Sequence, residues 1–165
     1  EPWRDRMEEN LRIFTALSRL AKDYNVNIGI KIIDAPRCSI RTVEECNAII
    51  DQVPEKNIGY ALDPFNFFLN GGNGRLKDLS ALYNDRIFIV HLNGAAAGAH
   101  KQSERTYPDE GELDVDFYLQ TLRGKGYDGP VSLDISRQDQ WQEDPETVIT
   151  RAAASMRTVF LRNGL

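Results

Sequence analysis

Four short apolar runs recur along this chain, each about one strand plus one helix from the next, and each ends on a residue that carries chemistry. Val26-Asn27-Ile28-Gly29-Ile30 ends on Lys31, Gly59-Tyr60-Ala61-Leu62 on Asp63, Ile87-Phe88-Ile89-Val90 on His91, and Pro130-Val131-Ser132-Leu133 on Asp134. The closing residues stand 32, 28 and 43 positions apart. Short strands that alternate with helices pair in parallel through right-handed crossovers. When such a sheet closes into a barrel, the C-terminal strand ends face one mouth, where catalytic groups gather. Lys31, Asp63, His91 and Asp134 are therefore the candidate catalytic set, and the lysine is its odd member.

The stretches between the runs carry helical periodicity. Residues 5–24 place Met7, Leu11, Phe14, Leu17, Leu20 and Tyr24 on one face. The run at 26–33 is the first strand. Thr42 opens the next helix, with Glu45 set to complete a capping box, and Val43, Cys46, Ile49, Ile50 and Val53 form its buried face. A glycine-rich loop, Leu69-Asn70-Gly71-Gly72-Asn73-Gly74, leads to a helix around Leu76, Leu79 and Leu82. A polar loop over 93–112 precedes a helix carrying Phe117, Leu119 and Leu122, stopped by Gly124 and Gly126. Asp144 and Pro145 start the last helix, whose stripe is Val148, Ile149, Ala152, Met156, Val159 and Phe160.

One helix followed by four βα units suits either a doubly wound sheet or a barrel. No strand-to-helix turn carries a dinucleotide or phosphate-binding glycine pattern, and the reactive residues sit at every strand end, which favours the barrel. A complete barrel needs eight units and typically about 250 residues. The 165 residues here read as a single domain over 1–165, about four C-terminal βα units of a TIM-barrel-type α/β fold preceded by a helix. Two sheet edges would then stay open, so the other half of the barrel, or a second copy of the chain, is expected as a partner. The start at Glu1-Pro2-Trp3, without Met, suggests an excerpt or a processed piece of something longer.

A net charge of −5 argues against a nucleic-acid partner held by charge, and no apolar run spans a bilayer. Cys38 and Cys46 read as free thiols of a reducing compartment, which points to a cytoplasmic location.

The segment Gly126-Tyr127-Asp128-Gly129-Pro130-Val131-Ser132-Leu133-Asp134-Ile135 resembles the GYxGxxSxE strand entry of xylose-isomerase-like TIM-barrel proteins. That superfamily takes in sugar isomerases, ketose 3-epimerases, inosose and dehydroshikimate dehydratases, and endonuclease IV. Asn57-Ile58-Gly59-Tyr60-Ala61-Leu62-Asp63 resembles its NxGxxxD strand, Ile89-Val90-His91-Leu92 its xVHL strand, and Glu110-Gly111-Glu112-Leu113-Asp114 its GxGxxD element. The likeness runs from about residue 10 to residue 162.

The resemblance implies an isomerase, epimerase or dehydratase acting on a small sugar or polyhydroxy carbonyl compound. It implies a divalent metal (Mn²⁺, Mg²⁺ or Zn²⁺) held by Glu, Asp, His and Glu at the strand ends. Those positions are Lys31, Asp63, His91 and Asp134 here, so Asp63, His91 and Asp134 are the metal ligands if a metal binds. Lys31 opposes a dication by several kcal/mol at short range, and its ammonium is the alternative occupant of the metal's place. Asp34 is a substitute ligand in reserve. A desolvated Lys31 could instead form a Schiff base, although two neighbouring carboxylates would keep it protonated.

Around this set, Asn66 stands where the epimerases have a substrate-facing His, Ala97 where they have a substrate-binding Arg, and Arg37 where they have a second Glu. Asn66, Phe65, Arg37 and Arg137 are the substrate-binding candidates, with Phe67, Phe68, Arg41 and Lys101 behind them. Gly94 to Gly98 read as a small lid, and His100 as solvated. The alternative function is a metal-free, non-catalytic descendant that binds a sugar or a protein partner. A three-metal nuclease site has too few histidines to draw on, since the chain has two.

Overall fold

The computed structural model describes residues 3–35, 37–69, 71–135, 137 and 139–165. Asn70 of the glycine loop lies outside them. The elements in order are α1 (Trp3–Asp23), β1 (Ile28–Lys31), α2 (Val43–Gln52), β2 (Ile58–Leu62), the short α3 (Pro64–Phe68), β3 (Ile87–Leu92), β4 (Gly94–Ala95), β5 (Arg105–Thr106), α4 (Val115–Gly124), β6 (Val131–Leu133) and α5 (Pro145–Arg162). A four-stranded parallel sheet has the order β1-β2-β3-β6. Its helices and strands form a partial TIM-type barrel, open at β1 and at β6 among the described strands.

Side chains alternate between the two faces of a strand. Tyr60, Leu62, Val90 and Leu92 join Val43, Cys46, Ile49, Leu79, Tyr118 and Leu122 in one core between sheet and helices. A fully buried Ile49 contributes roughly 1.5–3 kcal/mol relative to an exposed one. Tyr60 brings a hydroxyl into this core and satisfies it twice, donating to Asn47 Oδ1 at 2.5 Å and accepting from the Tyr83 N–H at 3.2 Å. The opposite, concave face presents the alternating set that includes Lys31, Asp63, His91 and Asp134. Register staggers them toward the same end of the sheet: Lys31 lies beside Ala61, two residues short of Asp63, and His91 beside Ser132, two residues short of Asp134.

The Thr42–Glu45 capping box is present. Thr42 Oγ1 accepts the Glu45 N–H at 3.2 Å, and the Glu45 carboxylate accepts the N–H groups of Arg41 and Thr42. Thr42→Ala is expected to lower stability by about 1 kcal/mol, read as a shift of the urea midpoint with unchanged slope. Asp114 and Asp144 cap α4 and α5 with a single carboxylate, accepting the N–H groups of Phe117 and Thr147.

Several local expectations are corrected. The segment holding Leu76 and Leu79 is a 3-10 helix, Gly72–Ala81, rather than an α-helix. Residues 93–112 are not a plain loop, because β4 and β5 pair as an antiparallel ribbon there. The Gly94–Gly98 stretch is consequently no free lid, since Ala95 is fully buried in that ribbon. On α4 the inward aromatic is Tyr118, and Phe117 faces out. The stripe on α1 packs through Met7, Leu11 and Phe14, while Leu17, Leu20 and Tyr24 are exposed. Ile149 and Leu161 on α5 are exposed as well. Both exposed sets belong to the helices at the two ends of the sheet order.

Both cysteines are free thiols. Burial pushes the Cys46 thiol up to about 12, so almost no thiolate exists there at neutral pH, and the thiolate is the nucleophile. In native protein at pH 8, iodoacetamide is expected to label Cys38 and spare Cys46, with Cys46 labelling only on unfolding. Mass spectrometry of the tryptic peptides reads the difference. No helix among the described residues is long and apolar enough to cross a membrane.

A candidate active site at the strand ends

Asp63 is the centre of the concave mouth. It follows β2 directly and caps α3, its Oδ1 accepting the Phe65 N–H at 3.1 Å. The Pro64-Phe65-Asn66-Phe67-Phe68 turn is buried throughout, which fixes the carboxylate in place. Oδ1 also accepts from Asn93 Nδ2 at 2.9 Å, and Asn93 reaches on to the Asp134 carbonyl at 3.3 Å. Oδ2 accepts from Arg105 Nη2 at 2.6 Å and meets Lys31 Nζ at 2.9 Å. The Asp63 side chain is wholly buried, and that of Arg105 is 5% exposed.

Lys31 crosses the mouth. Its ammonium lies 2.9 Å from Asp63 Oδ2 and 2.8 Å from Asp134 Oδ2. The two outer strands of the sheet, β1 and β6, are thereby tied by one side chain. Three strand spacings would separate them by roughly 14 Å in a flat sheet, more than a lysine can span, so the contact requires the sheet to curve. Partial burial lowers the lysine pKa, but hydrogen bonds and charge from Asp134 and Asp63 outweigh that, and the net shift is upward. The amine is therefore protonated at neutral pH, which removes the free nucleophile a Schiff base requires.

Arg105 comes from β5, in a stretch that reads as polar loop. Its guanidinium stacks 4.6 Å from the centre of the Phe65 ring and donates Nη1 to the Gln102 side chain. Gln102 Nε2 donates in turn to Asn66 Oδ1 at 2.9 Å. A continuous polar network thus runs Asp134–Lys31–Asp63–Arg105–Gln102–Asn66. Buried donors and acceptors in and beside it that have no hydrogen-bond partner among the described residues include Arg105 Nε, Asn66 Nδ2, Asn93 Oδ1 and His91 Nδ1. Buried polar atoms are normally paired, so these atoms mark hydrogen-bonding capacity at the mouth that the described residues leave unmet.

Lys31, Asp63 and Asp134 are gathered as the strand pattern implies, with His91 on the strand between, beside Ser132, while Phe65 and Asn66 join them through Arg105 and Gln102. Arg137 lines a pocket of about 360 Å³ with Ser103, Glu104, Arg105, Thr106 and Ala96. Arg37 is exposed on the loop after β1, outside the network, and Phe67 and Phe68 belong to the core. Arg41 is taken up by Asp34 at 2.5 Å, so Asp34 is engaged rather than held in reserve. His100 is exposed beside Glu104. A larger hollow of about 620 Å³ along α5, lined by Asp144, Glu146, Thr147 and Arg151, contains none of the strand-end residues.

The residues present do not fit a divalent metal. Among the described residues no group of three His, Cys, Asp or Glu side chains is arranged to hold one. Asp63 spends both oxygens on Phe65, Asn93, Arg105 and Lys31. The place between Asp63 and Asp134 is taken by an ammonium, which would repel a dication by about 8 kcal/mol at ~4 Å and an effective dielectric of about 20. The ligand set Asp63, His91 and Asp134 is thus not assembled as one.

A family model described as a xylose isomerase-like TIM barrel matches residues 3–159. Inosose isomerase of Halalkalibacterium halodurans is 32% identical over 145 residues, covering 86% of this chain and 51% of that protein. The same enzyme of Bacillus subtilis is 28% identical over 148 residues, 88% of this chain and 52% of that protein. The chain spans about half the length of the curated relatives it matches. A crystal structure of the IolI protein with a bound zinc atom superposes with a TM-score of 0.88 at 25% identity, covering 99% of this chain and 59% of that one.

Proposed function

This chain belongs to the xylose isomerase-like TIM barrel family, and on that premise we propose that it is the C-terminal half of a barrel that isomerises or epimerises a small polyhydroxylated carbonyl compound. The relatives named inosose isomerase, aligned over most of this chain, support a cyclic or open-chain hydroxy ketone as substrate. The observation that carries the reading is the polar network at one mouth, where donors on Arg105 and Asn66 and an imidazole nitrogen of His91 have no partner among the described residues. The remaining βα units come from another segment or another copy, placed between the open edges at β1 and β6.

Isomerisation next to a carbonyl removes a proton from the adjacent carbon and returns it to a neighbouring one. The enzyme has to hold the hydroxyl groups, steady the oxygen on which charge builds, and move the proton. His91 is the proton carrier in this reading, since its Nδ1 has no hydrogen-bond partner among the described residues and an imidazole nitrogen can both accept and donate a proton. Asn66 and Arg137 bind substrate hydroxyls, and Phe65 holds Arg105 flat behind them. No step passes through a metal.

The test is proton exchange in heavy water. Full-length protein incubated with inosose and with a panel of ketoses in D₂O is expected to place deuterium next to the carbonyl of at least one of them, with an isomer appearing by NMR. Absence of both exchange and conversion across the panel would overturn the reading. His91→Gln is expected to lower exchange by about 100-fold or more while circular dichroism stays unchanged.

A further inference from the structure

We infer that Lys31 is the site's own cation: its ammonium holds the place between Asp63 and Asp134 and turns its remaining N–H toward the substrate oxygen, so that polarising a carbonyl here requires no divalent metal. The inference rests on reading the mouth as a hydroxy-ketone site.

An ammonium has three N–H donors. Two are committed, to Asp63 Oδ2 at 2.9 Å and Asp134 Oδ2 at 2.8 Å. The third has no partner among the described residues, and the side chain is 30% exposed, so that donor opens onto the concave face. Positive charge already faces the carboxylates: Lys31 meets both Asp63 and Asp134, and Arg105 meets Asp63. A carbonyl oxygen that gains negative charge in the transition state adds a favourable partner to this set, whereas a dication adds an unfavourable one.

The donor is also held rigidly. Asp63 is fixed by the Phe65 and Asn93 hydrogen bonds and by buried Arg105, and Asn93 ties the Asp134 backbone to the same carboxylate. A donor fixed before the reaction stabilises developing charge without reorganising during it. The same clamp explains why the lysine is not a nucleophile. Its lone pair carries a proton that two carboxylates hold in place, so it acts by hydrogen bonding and forms no covalent bond to the substrate.

Three variants and two readouts test this. In Lys31→Met, which keeps the stem and removes the charge, kcat for exchange at the carbon beside the carbonyl is expected to fall by about 100-fold or more, with KM changed only a few-fold. Lys31→Arg, which keeps a charged donor, is expected to recover part of the rate. The second readout is independent of activity. Adding Mn²⁺ or Zn²⁺ to protein dialysed against EDTA is expected to leave the wild-type melting temperature unchanged, and to raise that of Lys31→Glu, where an acidic ligand replaces the ammonium.

Two results overturn the inference. One is a wild-type protein that binds Mn²⁺ or Zn²⁺ stoichiometrically with a rise in melting temperature. The other is a Lys31→Met protein that is folded by circular dichroism and exchanges at the wild-type rate. If the wild type exchanges no substrate, the isomerase reading fails, and the melting-temperature comparison still decides whether the ammonium or a metal is the cation of this site.

Discussion

Asp63→Ala is expected to cost about 3–5 kcal/mol of stability, seen as a large drop in the urea midpoint with little change in slope. The carboxylate is wholly buried and receives Arg105, Lys31, Asn93 and the Phe65 N–H. Removing it does more than delete a contact. It leaves the Arg105 guanidinium, almost completely out of water, with no counter-charge, and it uncaps α3. The loss is larger than for an exposed ion pair because water cannot screen or replace the partner. Asp63→Asn separates the contributions. The amide can still accept the Phe65 N–H, so the cap survives while the charge is lost. If Asp63→Asn were as stable as wild type, the charge would contribute nothing and Arg105 would have to be solvated in a way the packing over Phe65 does not allow.

The second large effect is expected at Gly111. Its φ is +85°, a region side chains with a Cβ rarely enter. An added Cβ would lie 1.9 Å from the Ala95 carbonyl oxygen, in the ribbon that pairs β4 with β5. Gly111→Ala is expected to cost about 1–3 kcal/mol for the backbone conformation and a similar amount for displacing the Ala95 carbonyl. Gly111→Asn distinguishes the two causes, since asparagine tolerates positive φ but still carries the Cβ. An Asn variant as damaged as the Ala variant identifies the collision as the larger cause. An Asn variant near wild type identifies the backbone angle instead. Both variants are expected to loosen Arg105, which sits on the neighbouring strand, and so to reduce activity beyond what the loss of stability accounts for.

The strand-end residues were readable in advance because a strand's chemistry follows from counting. A run of alternating apolar residues has a last residue, and parallel connectivity sends each last residue to the same side. The same counting reaches Asn93, which lies two residues past His91 on the same face, and only its polar neighbourhood hid it. Arg105 was not readable. Its place depends on a ribbon of two residues pairing with two, and strands that short leave no periodicity. On α4 the helical spacing Val115, Tyr118, Leu119, Leu122 marks the true buried face, but a tyrosine hydroxyl made Phe117 look the more apolar choice. On α1 the period was right and the width was not, because how much of a helix is covered depends on what lies beyond an edge strand. The lysine in the metal's place was visible as a substitution. That it reaches both carboxylates together follows from sheet curvature, which no local pattern records.

That reach has a mechanical side. Lys31 acts as a chord drawn across an arch, with one foot on β1 and the other just past β6. The opening between the two free edges is then set by the length of one side chain rather than by the whole sheet. Any βα units that complete the barrel meet a gap whose width is already decided, and must match its curvature to pair on both sides at once. A shorter or uncharged residue at position 31 would let the arch relax, and the first thing to suffer would be the fit of whatever pairs with the two edges.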